Sequence, residues 1–341
     1  MTQMEAKPGP ARADEMEQPP HFQITDERPE GALVDVMGGA ERRTIRLHEH
    51  GFISLVDVMP RLVPEGQTAD AAIVQAARVS YGAGTKKVHE DRGLIRYLLR
   101  HQHTTPFEMV EFKFHIAIPI FVARQWIRHR TANVNEYSGR YSVMPDRFYK
   151  PPVDQVRKQS SGNRQGGEER FWAPEGTEAQ RHEGTERGDR EREFATAREI
   201  VEYLEQVEGL YSRYEQLIEK GVSRELARIG LPTSQYTQWY WKCDLHNVLR
   251  FLSLRMDAHA QQEIRDYAEA MCALIEPIVP VTMEAWRDYS FGAVRLTRLE
   301  IEALRDLRAG GSGELPSDNK RERAEWAAKR ARLGFGEAPE A

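Results

Sequence analysis

The chain has 341 residues, with 48 Lys and Arg against 53 Asp and Glu, and a formal net charge of −5. With a pI near 6.2, this excludes a globally basic field for nucleic acid, so an anion site has to be built locally. Cys243 and Cys272 are the only cysteines, too few for a disulfide framework and suited to a reducing cytoplasm. No signal peptide is expected, because the N-terminus lacks an apolar core. No membrane partner is expected either, because the longest apolar run, Ile116 to Ala123, is too short to span a bilayer and contains Pro119.

The mean hydropathy is −0.65, and the polar excess lies at both ends and in the middle. The pattern predicts one domain over 42–309, a disordered tail over 1–41 rich in Pro, Glu, Gly and Ala, and a charged tail over 310–341. Gly51 to Val63 reads as a strand buried on both faces. Thr68 is placed to cap a helix carrying Ala72, Ile73, Ala76 and Ala77, and Leu94, Ile95, Leu98 and Leu99 mark a second helix ending near His101. After a break at Thr104-Thr105-Pro106 the chain alternates. Val110, Phe112, Phe114, Ile116 and Ile118 face one way; Glu111, Lys113, His115 and Ala117 face the other, as in a half-buried antiparallel strand.

Pro119 suits the first turn of the next helix, which carries Ile120, Ala123 and Ile127 inward and brings Gln125 and Arg128 onto a shared face. A Gly-, Glu-, Arg- and Gln-rich stretch at about 151–192 reads as an exposed insert. From Phe194 one long amphipathic helix is predicted to stop at Gly221. Ser223 is expected to cap a short helix bearing Arg228. Gln235 to Lys242 is strand-like, Leu245 to Leu252 helical, and Ile264 to Ile275 another helical stripe. Thr297 and Glu300 form a capping box, and a further helix is expected around Arg323 to Arg330. The sum is an α+β fold, an antiparallel twisted sheet flanked by helices.

The most informative stretch is Arg128-His129-Arg130-Thr131-Ala132-Asn133-Val134-Asn135-Glu136-Tyr137-Ser138-Gly139-Arg140-Tyr141. No hydrophobic face of any period runs through it. Guanidinium forks suit phosphate, and glycine lets backbone approach a ligand. The stretch resembles the signature of the flavin-dependent thymidylate synthases at Arg128, His129, Arg130, Asn135, Ser138 and Arg140, with Asn133 where the family has Ser. Two further segments agree with that family: His103-Thr104-Thr105-Pro106-Phe107-Glu108, and Glu225 to Pro232 followed by Leu254-Arg255-Met256-Asp257-Ala258-His259-Ala260-Gln261. The likeness runs from about Thr44 to Tyr289, apart from the insert.

The resemblance implies a homotetramer with active sites shared between subunits. It implies reductive methylation of deoxyuridylate (dUMP) to thymidylate (dTMP) by FAD, with NADPH as reductant and 5,10-methylenetetrahydrofolate as carbon donor. It implies that Gln125, Arg128, Glu136, Tyr137, Ser138, Gly139, Arg140, Arg228 and Arg255 bind dUMP. FAD would meet Thr105, Arg128, His129, Arg130, Glu136, Asp244, Leu245, His246 and Arg250. Asp244, His246 and Arg250 stand where relatives often carry Asn, Arg, and Asn or His. Arg255, Ser138 and His103 are the implied residues of the reaction, His103 through the flavin and folate.

From the residues themselves, both cysteines read as small core residues rather than nucleophiles, so uracil would be activated by electrostatics. Several plainer readings compete. Arg255 could be paired with Asp257 and Arg228 with Glu225. Tyr236, Trp239, Tyr240 and Trp241 read as core or interface aromatics. His101 and His103 could chelate, but no third ligand has zinc-site spacing, so no metal is expected. A non-catalytic nucleotide- or RNA-binding module would keep the Arg-rich loop, but the acidic net charge opposes it.

Overall fold

A computed structural model describes residues 22–29, 31–33, 40–80, 91–160, 166–174 and 187–336. The elements follow in chain order: β1 (Thr25–Glu27), β2 (Arg42–Leu47), β3 (Gly51–Met59), α1 (Asp70–Val79), α2 (Asp91–Arg100), α3 (Thr105–Glu108) and β4 (Glu111–Pro119). Then come α4 (Ile120–Trp126), β5 (Asn133–Glu136), β6 (Arg157–Gln159), β7 (Gly167–Arg170), α5 (Arg187–Glu208), α6 (Leu210–Glu219) and α7 (Arg224–Ala227). The last are β8 (Tyr236–Asp244), α8 (Leu245–Arg255), α9 (Gln262–Ile275), α10 (Pro280–Trp286), α11 (Arg298–Arg308) and α12 (Lys320–Arg332). The chain divides into two compact units, one within His21–Trp286 and one within Arg287–Ala341.

The larger unit is built on a six-stranded sheet in the order β1-β2-β3-β4-β8-β5, with antiparallel neighbours throughout. Alternating large apolar residues on β3, β4 and β8 give this sheet a face to bury, and α9 covers it with Ile264, Tyr267, Ala268 and Met271. The Tyr267 hydroxyl donates to the Ala117 carbonyl at 2.6 Å, which satisfies a polar group inside the core. Trp126 from α4 stacks on Phe251 from α8, with ring centroids 4.4 Å apart, and meets Trp239 and Trp241 edge-on. Tyr236, Trp239 and Trp241 of β8 are therefore core residues, and Tyr240 is half-buried.

Several expectations are corrected. Part of the N-terminal tail is a strand: β1 pairs with β2, and the following residues pin to the sheet through Gln238. The Gln238 Oε1 accepts from the Leu33 N–H (2.9 Å), and its Nε2 donates to the Gly31 carbonyl (2.7 Å). The remainder of that tail, residues 1–21, 30 and 34–39, lies outside the described residues. β4 alternates only at its start. His115 and Ala117 are buried, because Phe52 and Tyr240 on the neighbouring strands close over the second face. Pro119 ends that strand with extended backbone rather than opening the helix, and Val122 and Trp126 replace Ile120 and Ile127 as the inward residues.

The Thr104-Thr105-Pro106 break is a short helix, with Pro106 in its first turn. Thr68 does not cap α1 through its side chain. Its neighbour Asp70 instead accepts from the Val281 and Thr282 N–H groups (2.9 and 3.2 Å) and the Thr282 hydroxyl (2.6 Å), capping α10 across the fold. Ser223 likewise precedes α7 without a side-chain cap bond. The predicted long helix is two, α5 and α6, separated at Gly209, the weakest helix former in the stretch. Ile200, on the apolar stripe expected to face inward, is exposed. The insert contains the hairpin β6–β7, and Arg157 reaches Gln262 while Lys158 reaches Glu193. Residues 161–165 and 175–186 of that insert lie outside the described residues.

In the smaller unit, the Thr297–Glu300 capping box opens α11 as predicted. Ala303, Leu315 and Trp326 form a small core, with the Trp326 indole donating to the Gly313 carbonyl at 2.8 Å. The expected boundary at 309/310 therefore falls inside a packed unit.

His115 is 1% exposed, and burial pushes its imidazole down to about 4. A histidine depressed in the folded state binds its proton first in the unfolded chain, so stability falls as pH drops through about 6.5 towards 4. Urea midpoints at pH 7.5 and pH 5 should show a loss that His115→Gln removes in part, on the order of 2 kcal/mol at pH 5. Equal losses in both proteins would refute the assignment.

Candidate active site

After α4 the chain leaves the helix at Ile127 and presents Arg128 and Arg130 to solvent. His129 is held edge-on against Phe251, with centroids 5.0 Å apart. Asn133 to Glu136 then form β5, paired with β8 from Asn133↔Lys242 to Glu136↔Trp239. The absence of a hydrophobic face is that of a sheet edge, since only Val134 of β5 is even half-buried. The Glu136 carboxylate accepts from the Thr237 hydroxyl at 2.8 Å.

The Tyr137 N–H donates to the Gln238 carbonyl (2.8 Å), and its hydroxyl donates to the Val143 carbonyl (2.8 Å). The Ser138 carbonyl accepts the Tyr141 and Ser142 N–H groups, and its hydroxyl the Arg140 N–H at 3.3 Å, so the chain turns tightly there. Gly139 is required by close approach. A Cβ would lie 2.7 Å from the Met144 sulfur and 3.2 Å from Arg228 Cδ.

That turn brings together two of the expected substrate residues. Arg140 and Arg228 line one open cleft of about 640 Å³, with Ile120, Met144, Leu231 and Gln235. Glu225 also lines it and pairs with Arg140 at 3.6 Å, rather than with Arg228. Two guanidiniums against one carboxylate leave a net positive cleft suited to a phosphate.

Arg255 belongs to a second group. Its Nε donates to His129 Nε2 at 3.0 Å and its Nη2 to the Gln125 carbonyl at 3.2 Å. Asp257, the alternative partner, is engaged with the N–H and ring of His259. Burial, then Arg255 and Arg250, push His129 down to about 4. At neutral pH its ring is uncharged, so Nε2 can act as acceptor and fix the guanidinium plane. The Gln125 amide meets Gln261, a partner signalled only by the motif that contains it.

Of the residues expected to hold FAD, Asp244, Leu245, His246 and Arg250 open α8 or lie on it, and His129 meets its Phe251. Glu136 instead lies on β5 against Thr237, and Arg128 and Arg130 stand exposed. The N-terminus of α8 is capped by Asp244, which accepts from the Asn247 N–H (3.0 Å) and Nδ2 (2.8 Å). Leu245 is fully buried and its N–H donates to the Val110 carbonyl (2.7 Å), so it offers no side chain to a ligand. His246 is half-buried and Arg250 exposed, and α3, which begins at Thr105, packs on α8. Thr105, His246 and Arg250 bring hydroxyl, imidazole and guanidinium donors that fit the pyrophosphate of a dinucleotide, whereas the Leu245 and Asn247 N–H groups at the start of α8 are taken by Val110 and Asp244. His103 is exposed and stacks over Tyr97, with centroids 6.1 Å apart, and Tyr97 also meets His101.

Both cysteines are buried. Burial and the adjacent Asp244 carboxylate push the Cys243 thiol well up, and its Sγ lies 3.2 Å from the Thr131 carbonyl. Both effects disfavour a thiolate at Cys243. Gln235, Thr237 and Glu225 were missed as site residues. Thr237 and Gln235 look from sequence like ordinary positions of a strand, and only the pairing partners reveal their surroundings.

The family described as Thymidylate synthase complementing protein matches residues 61–281. The flavin-dependent thymidylate synthase of Dictyostelium discoideum is 58% identical over 90% of this chain and 92% of its own length. That of Wolbachia pipientis is 49% identical over 77% of this chain and 82% of its own. A UMP/dUMP methylase, PolB, from Streptomyces cacaoi, solved bound with 5-Br UMP, superposes with a TM-score of 0.55 at 31% identity. The match covers 72% of this chain and 97% of that one. With the signature turn, the Arg228 segment and the Arg255 segment all in place, the chain belongs to the flavin-dependent thymidylate synthases, flavoenzyme methyltransferases of dTMP biosynthesis.

Proposed function

We propose that the chain methylates dUMP to dTMP reductively, with FAD as cofactor, 5,10-methylenetetrahydrofolate as carbon donor and NADPH as reductant, and without a cysteine nucleophile. The observation that carries this reading is the contrast between the thiols and the guanidiniums. Cys243 and Cys272 are sealed in the core, whereas Arg255 is oriented by a neutral His129 at the end of α8. A half-buried cation acts in a lower dielectric than water, so its field on a nearby pyrimidine edge is strengthened. Arg255 would thereby stabilise negative charge on the ring and raise electron density at C5.

Arg140 and Arg228 would hold the phosphate, with the Ser138 hydroxyl as a further donor and the Gly139 turn allowing backbone to approach. Gln125, Arg128, Glu136 and Tyr137 complete the dUMP set. Thr105, Arg128, His129, Arg130, Glu136, His246 and Arg250 would hold FAD, with Asp244 setting the helix that carries the last two and Leu245 giving backbone only. Bound FAD supplies the reducing electrons that no side chain can deliver. His103, exposed beside Tyr97, would serve the flavin and folate.

The active assembly is proposed to be a cytoplasmic homotetramer with shared sites. Support comes from the exposed apolar residues around the cleft, Tyr141, Leu226 and Ile229, which are 74, 60 and 74% exposed. Arg140 and Arg255 also fall in separate groups of contacts. Among the described residues no helix is long and apolar enough to cross a membrane.

Purified protein should be yellow, with a flavin absorbance bleached by NADPH. Arg255→Ala should leave that absorbance intact while lowering tritium release from C5 of labelled dUMP by about 10²-fold or more. Wild-type-like release would refute the role. The double variant Cys243→Ala, Cys272→Ala should keep turnover, measured in the same assay. Loss of turnover with the chromophore retained would overturn the thiol-free reading.

A further inference from the structure

We infer that Gln235 is a specificity-determining residue of the nucleotide site, its side-chain carbonyl accepting a hydrogen bond from one of the two donors that dUMP carries, the pyrimidine N3–H or the 3′-hydroxyl. The inference rests on the reading above that the Arg140–Arg228 cleft takes dUMP.

Gln235 is fully buried, yet it lines that cleft. Its Nε2 donates to the Pro145 carbonyl at 2.9 Å. A carbonyl can only accept, so this contact decides which end of the amide is nitrogen and turns the oxygen the other way. The backbone is used as well, with its N–H donating to the Pro232 carbonyl (3.1 Å) and its own carbonyl accepting the Ile120 N–H (2.9 Å). Nε2 keeps a second N–H, but Oε1 is the side-chain polar atom that meets no partner at all among the described residues.

A buried acceptor with no donor is costly and uncommon, so a polar atom in this condition beside a cleft points to a ligand. The neighbouring guanidiniums of Arg140 and Arg228 are donors only and suit the phosphate or the ring carbonyls. Gln235 supplies what they cannot, an uncharged acceptor that can read an N–H or O–H. A site built around such an acceptor rejects analogues that lack the matching donor far more strongly than an apolar wall does. If the donor is N3–H, cytosine nucleotides are excluded too, because their N3 is itself an acceptor.

The test measures binding of dUMP, N3-methyl-dUMP and 2′,3′-dideoxyuridylate to the full flavin-loaded protein, wild type and Gln235→Met. In the wild type, one analogue should bind about tenfold or more weakly than dUMP, and which one identifies the donor. In Gln235→Met, dUMP should weaken by a similar factor and the analogue's extra penalty should vanish. The flavin spectrum and melting temperature show whether that variant is folded. The wild-type comparison needs no substitution, and two analogues that both bind like dUMP overturn the inference by themselves. A penalty that persists unchanged in folded Gln235→Met, or wild-type affinity of that variant for dUMP, also overturns it while leaving the cleft assigned to dUMP. Failure of the wild type to bind dUMP at all would instead bring down the reading beneath it.

Discussion

The antiparallel pairing of β4 with β8 is the constraint from which the candidate site follows. It runs without a break from Glu111↔Asp244 to Pro119↔Tyr236, so the two strands act as one rigid ruler. At one end it delivers α4, with Gln125, and Gln235, whose carbonyl takes the Ile120 N–H. At the other end it delivers Asp244, the cap of α8, and α8 in turn carries Arg250 and Arg255. The outer edge of β8 receives β5, and with it the polar signature stretch. Ladder hydrogen bonds set where each polar group can lie, and the apolar residues between them make that register the only one that buries the core.

The same register separates the chemistry by face. Strand alternation places Cys243 on the side of Trp239 and Trp241, where it is desolvated and beside a carboxylate. Both effects oppose a thiolate. The guanidiniums stand at element ends, where chain turns leave them partly in water, and an always-charged group tolerates half-burial far better than a titrating one does. Lowering the proton affinity of His129 is then useful in itself. A neutral ring accepts from Arg255, whereas an imidazolium beside two arginines would repel them.

Much of the scaffold was legible in the residues. The apolar alternation of β4 and the stripes of α8 and α9 are local signals, and the Thr297–Glu300 box is local too. What failed depended on partners distant in sequence. β5 has no pattern of its own and becomes a strand because β8 offers an edge. Thr68 was expected to cap α1, but no side chain does so, and the nearby Asp70 caps α10 instead. The burial of His115 needs Phe52 and Tyr240. Within the site, the residue types pointed to an anion and the family likeness named the roles. The pairings Glu225–Arg140 and His129–Arg255 could be read only from coordinates, because the adjacent acids, Glu225 for Arg228 and Asp257 for Arg255, were equally plausible partners on charge alone.

A last consequence concerns residues outside the matched segment 61–281. Gly31 sits at φ +80, and its carbonyl accepts from both Gln238 Nε2 and Arg147 Nη1. At that φ an L side chain would be strained whatever the space around it, which is what favours glycine here. Gln238 Oε1 meanwhile takes the Leu33 N–H and faces His115, while the backbone carbonyl of the same residue takes the Tyr137 N–H. One residue therefore grips the N-terminal strap with its side chain and the signature turn with its main chain. The position of Ser138, Gly139 and Arg140 is thus fixed partly by residues that come before the matched segment. A buried polar network of this kind is rigid only while every member is satisfied, which makes the strap part of the support of the site.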